Sequence, residues 1–332
     1  MPQFLQEAFS ARQYLETYYP SSFNEKKFFT ALLFIQKSMS QGGVLEVGSL
    51  SKKIGLPSEI VENAAILNFL REVSERLLRA YPNGRATLLD IGGGPTLYQH
   101  IPLCLNVSSI IHGEFLSENR AEVLAYLDGV AGAYPWEQYF TLVKKMLSKD
   151  SVYQELLASK EYTEVGDHCE FVKNIRNILE APKSKLFEAH LKKVLARNVV
   201  TCDVFSPTLE PSGMNNLTHL LGRYTKEGLP DIISAHFLVE SATDNFEKWQ
   251  QGLTHLLQYI PKGGYFLMTA IRHASWYLVG DKKIGAVSVD EESIKKFLEE
   301  HSIVIECMQV LIGSDQEHHG YDGMVFILGK KL

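Results

Sequence analysis

The chain has 332 residues, with 33 Lys plus Arg against 39 Asp plus Glu, and a formal charge of −6 at pH 7. Its 45% hydrophobic and 22% charged residues are those of a folded globular chain, which excludes disorder as the main state. An acidic balance makes it a poor general binder of phosphate backbones, and its longest near-apolar run, residues 28–35, is far short of the roughly 20 residues of a membrane span. The N-terminus has acidic residues and no apolar central segment, so it does not read as a signal peptide. Cys104, Cys169, Cys202 and Cys307 form no CxxC pair. That argues for a reducing, cytoplasmic setting, and against a zinc site or a disulfide framework.

In chain order, residues 1–85 read as helical. Ile60, Ala64, Leu67, Leu70, Val73 and Leu77 recur near a 3.6-residue period. Residues 49–74 read as helix, Gly turn, helix, similar to a helix-turn-helix or winged-helix unit. Its Lys52, Lys53 and Arg71 are balanced by Glu59, Glu62 and Glu72, so no basic DNA-reading face is expected. From residue 86 the texture changes. Residues 86–91 are a short apolar run ending in glycines, the pattern of a buried parallel strand. Residues 109–115 give a second strand, 117–127 a helix, and about 130–197 a helical insertion. Strands follow at 198–205 and 231–238. An amphipathic helix then starts at a capping box, Asp244-x-x-Glu247, and stops at Pro261-Lys-Gly-Gly264. Residues 265–271 form a fifth strand, and Ser288-x-x-Glu291 opens another helix. Residues 303–312 and 324–328 are two final strands with no helix between them, which favours an antiparallel pair. Strands alternating with helices predict a doubly wound α/β sheet with its ligand crevice at the strand ends. Seven strands with an antiparallel last one resemble the Rossmann-like class I methyltransferases. Two parts are expected: a helical lid or cap at 1–85 and a catalytic domain at 86–332.

The first strand runs into Asp90-Ile-Gly92-Gly-Gly94-Pro-Thr96. Glycines there allow a ligand close to the backbone. Position 97 is Leu, so the dinucleotide fingerprint GxGxxG fails. Asp90 at the strand end is placed to reach a cationic or polar part of a ligand. Glu114 ends the second strand, where a carboxylate can hold both ribose hydroxyls. Asp203 and Val204, at the third strand end, are placed for an adenine amino group and ring. Each has a plainer reading: a tight turn, a solvated charge, and an Asp in a helix N-cap.

Three stretches together resemble one family, the nicotinamide, phenylethanolamine and indolethylamine N-methyltransferases. They are Arg12-x-Tyr14-Leu-Glu-x-Tyr18-Tyr19 after Phe9, Asp90-Ile-Gly-Gly-Gly-Pro-Thr96-Leu-Tyr98-Gln99, and Ser275-Trp-Tyr-Leu-Val-Gly280. The resemblance implies S-adenosylmethionine as cofactor, and methyl transfer to a small-molecule amine or ring nitrogen. It implies Tyr14 and Tyr19 as a lid, with Tyr19 near the methionine carboxylate and Tyr14 over the substrate. Gly92, Gly94, Thr96 and Tyr98 would be loop contacts, Glu114 the ribose acid, Asn119 a neighbour of the methionine part, and Asp203–Val204 the adenine pair. Glu240 matches the family's active-site acid with one residue inserted before it. Where the family has acids facing an amine, this chain has Arg272, His273 and, near the last hairpin, His318–His319. Arg272, His273, Ser275 and His319 are therefore candidate substrate contacts, and Glu240 or His273 a candidate proton acceptor. An anionic or neutral ring is expected to suit that pocket better than a protonated amine. No metal site, nucleic acid or membrane is expected, and the chain reads as a monomer or homodimer. Two other readings stay open, O-methylation and a non-catalytic cofactor-binding protein.

Overall fold

The computed structural model describes residues 10–19, 24–39, 44–158, 167–225, 227–314 and 316–332. Phe9 of the N-terminal motif lies outside them. Their main sheet has eight strands, in the order β4 (Val199–Val200), β3 (Val107–Gly113), β2 (Ala86–Ile91), β5 (Ile232–His236), β6 (Tyr265–Arg272), β10 (Gly323–Lys331), β9 (Ile303–Ile312) and β1 (Val44–Glu46). Strands β2 to β6 pair in parallel, and β10 runs antiparallel to both β6 and β9. A separate ribbon joins β7 (Trp276–Val279) to β8 (Lys282–Gly285).

The expected seven strands and the antiparallel last one are present, with local corrections. The eighth strand, β1, comes from the stretch expected to be helical, and its three residues pair in parallel with 310–312. A segment that short carries no readable period; the open edge of β9 supplies its partner. The third strand is only Val199–Val200, because the chain turns at Asp203. That carboxylate accepts the N–H of Phe205 at 3.0 Å, an Asx turn. Between α4 (Ser58–Ala80) and β5 lie α5 (His100–Leu103), α6 (Ser117–Leu127), α7 (Glu137–Leu147), α8 (Ser151–Ala158), α9 (Asp167–Glu180), α10 (Lys185–Leu195) and α11 (Asn216–Tyr224). Caps fall one or two residues later than expected. Asn245 caps α12 (Phe246–Gln258), and Asp290 forms a capping box with Ser293 on α13 (Glu291–Glu300). A single turn, α14 (Gln316–His319), stands between the last two strands.

The sheet is covered on both faces. Leu88 and Leu89 belong to different core clusters, as the period of two along a strand dictates. On one side Trp249, Leu253, Phe297 and Leu298 of α12 and α13 pack against Leu89, Ile233 and Phe266. On the other lies α4 (Ser58–Ala80), entered through α3 (Val47–Ile54) and a left-handed Gly55. Phe69 of α4 sits 5.3 Å, ring to ring, from Phe326 of β10. The N-terminal helices α1 (Ala11–Tyr18) and α2 (Glu25–Met39) join that same cluster, so the chain on both sides of residue 85 shares one core. Among the described residues, no helix is long and apolar enough to cross a membrane.

Candidate active site

Strand β2 delivers the chain into the glycine turn. Gly92 and Gly94 have φ of 68° and 63°, a region that L side chains rarely adopt. A Cβ on Gly92 would collide with Leu238, whereas one on Gly94 would meet nothing within 4 Å. The loop thus bares its backbone at Gly94 to open space. Behind it, Asp90 is fully buried and accepts from Ser234 Oγ (2.6 Å), His100 Nε2 (2.9 Å) and Gln99 Nε2 (3.2 Å). Burial opposes its ionisation, but His100, His236 and His112 outweigh that and hold the carboxyl well below its usual range. Gln99 Nε2 and Thr96 Oγ1 both donate to Gly93 O, and His112 Nε2 donates to Gly94 O. Asp90 therefore pins the loop from beneath and does not line the cavity above it. Burial pushes His112 down to about 4, so it is neutral in this network.

Glu114 follows β3 and is 4% exposed. Its Oε2 accepts the Gly94 N–H at 3.0 Å and its Oε1 the Leu116 N–H at 2.6 Å. Burial raises its pKa, while those backbone donors work against the rise. A cavity of about 1060 Å³, counted out to its open mouth, starts here. One wall is Gly92, Gly94, Thr96, Tyr98, Glu114 and Asn119. Another is Tyr14 and Tyr18 of α1, Tyr19 just after it, and Tyr277 of β7. Tyr19 stacks on Tyr98 at 4.7 Å, and burial pushes the Tyr14 hydroxyl up to about 12. The floor is His236, Phe237, Leu238, Ala242 and Ile271.

The fourth wall was not anticipated. Glu59, Glu62, Asn63 and Ile66 of α4 face the cavity at i, i+3, i+4 and i+7. The spacing was legible, but Glu59 and Glu62 read as charges balancing lysines. Glu62 is 3% exposed; Ser314 Oγ donates to its Oε1 at 2.6 Å and Tyr321 hydroxyl to its Oε2 at 3.1 Å. Burial pushes its carboxyl up to about 7.

Several expected contacts stand elsewhere. Ile271 faces the cavity, so the alternation of β6 turns Arg272 to the opposite side. There Arg272 pairs with Glu291 at 2.7 Å and Asp322 at 2.8 Å, and His273 Nδ1 lies 2.9 Å from Asp322. Arg272 is thus neutralised, which removes the basis for expecting an anionic acceptor. Ser275 does not line the cavity either; its N–H is bonded to Gly320 O. His319 sits behind the wall, 3.3 Å from Glu59. Asp203 closes its own turn, and Val204 is buried, its carbonyl accepting from His255; neither lines the cavity. Glu240 is fully buried just behind the floor, its Oε1 accepting the Ile271 N–H at 3.1 Å. Its Oε2 has no hydrogen-bond partner among the described residues, and burial pushes the carboxyl up to about 7.

One antiparallel strand beside β6, and a cavity above the carboxyl ends of β2 and β3, are the arrangement of the class I S-adenosylmethionine-dependent methyltransferases. The chain belongs to the NNMT/PNMT/TEMT family, whose profile matches residues 50–164 and 166–332. It is 27% identical over 229 residues to phenylethanolamine N-methyltransferase of Sus scrofa, covering 69% of this chain and 66% of that one. The human enzyme of that name is 25% identical over 267 residues, 79% of each chain. Indolethylamine N-methyltransferase of Mus musculus is 22% identical over 249 residues, 75% of this chain and 78% of that one. The matched part thus spans just under two thirds of the porcine relative's length. Among solved structures, the magnesium protoporphyrin IX methyltransferase ChlM of Synechocystis PCC 6803, with bound SAM, matches 99% of this chain and 95% of its own. That match has a TM-score of 0.46 and 9% identity. The class rests on the strand order and the family match.

Proposed function

We propose that this chain transfers a methyl group from S-adenosylmethionine to a nitrogen of a small-molecule acceptor. The observation that carries the reading is the bared loop at Gly94 with the buried Glu114 beside it, opening into a cavity that continues between α1 and α4. The residues fit the group: a glycine turn, a buried carboxylate and aromatic rings converge on one cavity, the mix of apolar lining with a few placed polar groups that ligand sites show.

Glu114 would hold the ribose hydroxyls with its remaining lone pairs. Gly94 admits the cofactor to the backbone, and Gly92, Thr96, Tyr98 and Asn119 line its path. Tyr19, stacked on Tyr98, and Tyr14 close the site from above and exclude water. Adenine contacts from Asp203 and Val204 rest on the family resemblance alone. The cofactor, when bound, supplies an electrophilic methyl group. The chain's own work is to align the acceptor and take a proton where the nitrogen has one. Glu240, the acid the family resemblance points to, has an unpartnered oxygen and a carboxyl pushed up to about 7, but it is buried behind the floor and off the cavity lining, so a proton would reach it only through an intervening group. His273 stands with Arg272 and Asp322 outside the cavity lining and is not placed to take that proton. A cytosolic setting fits Cys104, Cys202 and Cys307, all free.

Calorimetry with S-adenosylhomocysteine tests the reading. Binding is expected, weakened by about 1–3 kcal/mol in Glu114→Ala, the range for hydrogen bonds to a charged group. No binding to the wild-type protein at millimolar ligand overturns it.

A further inference from the structure

We propose that Glu62 is the residue that selects the acceptor, by pairing its carboxylate with a cationic nitrogen on the incoming molecule. The inference rests on the methyl-transfer reading above and deepens it. The cavity's described lining holds three carboxylates, Glu59, Glu62 and Glu114, and no Lys or Arg. Its one imidazole, His236, is pushed down to about 4 by burial and stays neutral. Glu114 belongs to the glycine loop, which it binds through Gly94. Glu62 stands on a different element, α4, and among the described residues its carboxylate is held by side chains. Its two oxygens are oriented by Ser314 and Tyr321, from the segment joining β9 to β10.

A carboxylate oxygen has two lone pairs, so each oxygen of Glu62 keeps one for a guest. An ionised carboxylate that is 3% exposed costs several kcal/mol unless a counter-charge arrives. His319, which contacts Glu59, is the basic group whose charge is felt at Glu62, and it does not line the cavity. A cation entering the cavity adds a counter-charge from the cavity side. Tyr18 and Tyr321, close enough to Glu62 to feel its charge, present aromatic rings at the same end, the surroundings that favour an ammonium ion. Arg272, which would have repelled such a guest, is held by Glu291 and Asp322.

Binding is measured by calorimetry at saturating S-adenosylhomocysteine. The probes are 2-phenylethylamine and tryptamine, each against its neutral alcohol, 2-phenylethanol or tryptophol. At least one amine is expected to bind about tenfold or more tighter than its alcohol, and Glu62→Gln to bring the two within about threefold. Amines no tighter than alcohols on the wild-type protein, or a preference that survives Glu62→Gln, overturn the proposal. Tyr321→Phe keeps the ring and removes one donor to Glu62, so it reads the same interaction where Glu62→Gln does not fold. The amine preference should then fall several-fold, and an unchanged preference overturns the proposal equally. Absence of S-adenosylhomocysteine binding to the wild-type protein is a failure of the methyl-transfer reading, not of Glu62.

Discussion

At the scale of single residues, the site is governed by which carboxylates are buried and what they touch. Asp90 is buried among donors and stays ionised, so it acts as an anchor. Glu240 is buried with one oxygen unpartnered, so protonation suits it. Its folded pKa, about 7, is above the 4.5 of a free carboxyl. Between those values the folded chain binds more protons than the unfolded one, so stability falls as pH rises through the window and levels off above it. Glu240→Gln cannot ionise and keeps an acceptor for the Ile271 N–H. It is expected to be more stable than wild type by about 1–3 kcal/mol at pH 8, and to lose that advantage near pH 4.5. Denaturant melts at the two pH values check this, and an equal difference at both contradicts it. Glycine loop and Glu114 were legible because their chemistry is local: a strand, a turn, an acid. Arg272 was not, because one step along β6 decides which face a side chain takes. Glu62 was not, because its meaning depends on Ser314 and Tyr321, some 250 residues away.

Among the elements, α1 is expected to act as the lid. Leu15 anchors it in the core, and its polar links run from its two ends. Asn63 Nδ2 donates to Tyr18 O, Tyr18 hydroxyl accepts the Leu278 N–H, and Arg12 reaches Glu122 and Gly132 at the surface. Tyr14 and Tyr19 of this segment line the cavity, so a ligand there adds contacts that α1 lacks without it. Proteolysis within residues 10–20 is expected to slow severalfold in saturating S-adenosylhomocysteine. Equal cutting with and without it counts against a closing role. Long periodic elements such as α4 could be read at sight from the recurrence of Ile60, Ala64, Leu67, Leu70, Val73 and Leu77, although residues 60–70 are buried on every side. The three-residue β1 and the one-turn α14 could not, because tertiary pairing rather than local pattern makes them.

Over the whole molecule, the two faces of the sheet have different work. Helices α12 and α13 fill one face with an apolar layer. The other face is shared with the N-terminal helices, which also build two walls of the cavity. In the proposed reading the glycine-loop side of the cavity takes the cofactor and the side built by α1 and α4 the acceptor, and the family resemblance covers stretches of both. The loop side could be read from the sequence because its chemistry is local, whereas the charge of the other side depends on where the fold puts Glu62 and Arg272. The most direct measurement is methyl transfer itself. The protein is incubated with S-adenosylmethionine carrying an isotope-labelled methyl group, together with 2-phenylethylamine, tryptamine, nicotinamide and a cell-derived pool of small metabolites. Products are then identified by mass spectrometry. The account predicts a labelled methyl on a nitrogen of at least one small molecule, with an equimolar yield of S-adenosylhomocysteine. Binding of the cofactor with no labelled product from any acceptor and no S-adenosylhomocysteine above background would contradict it.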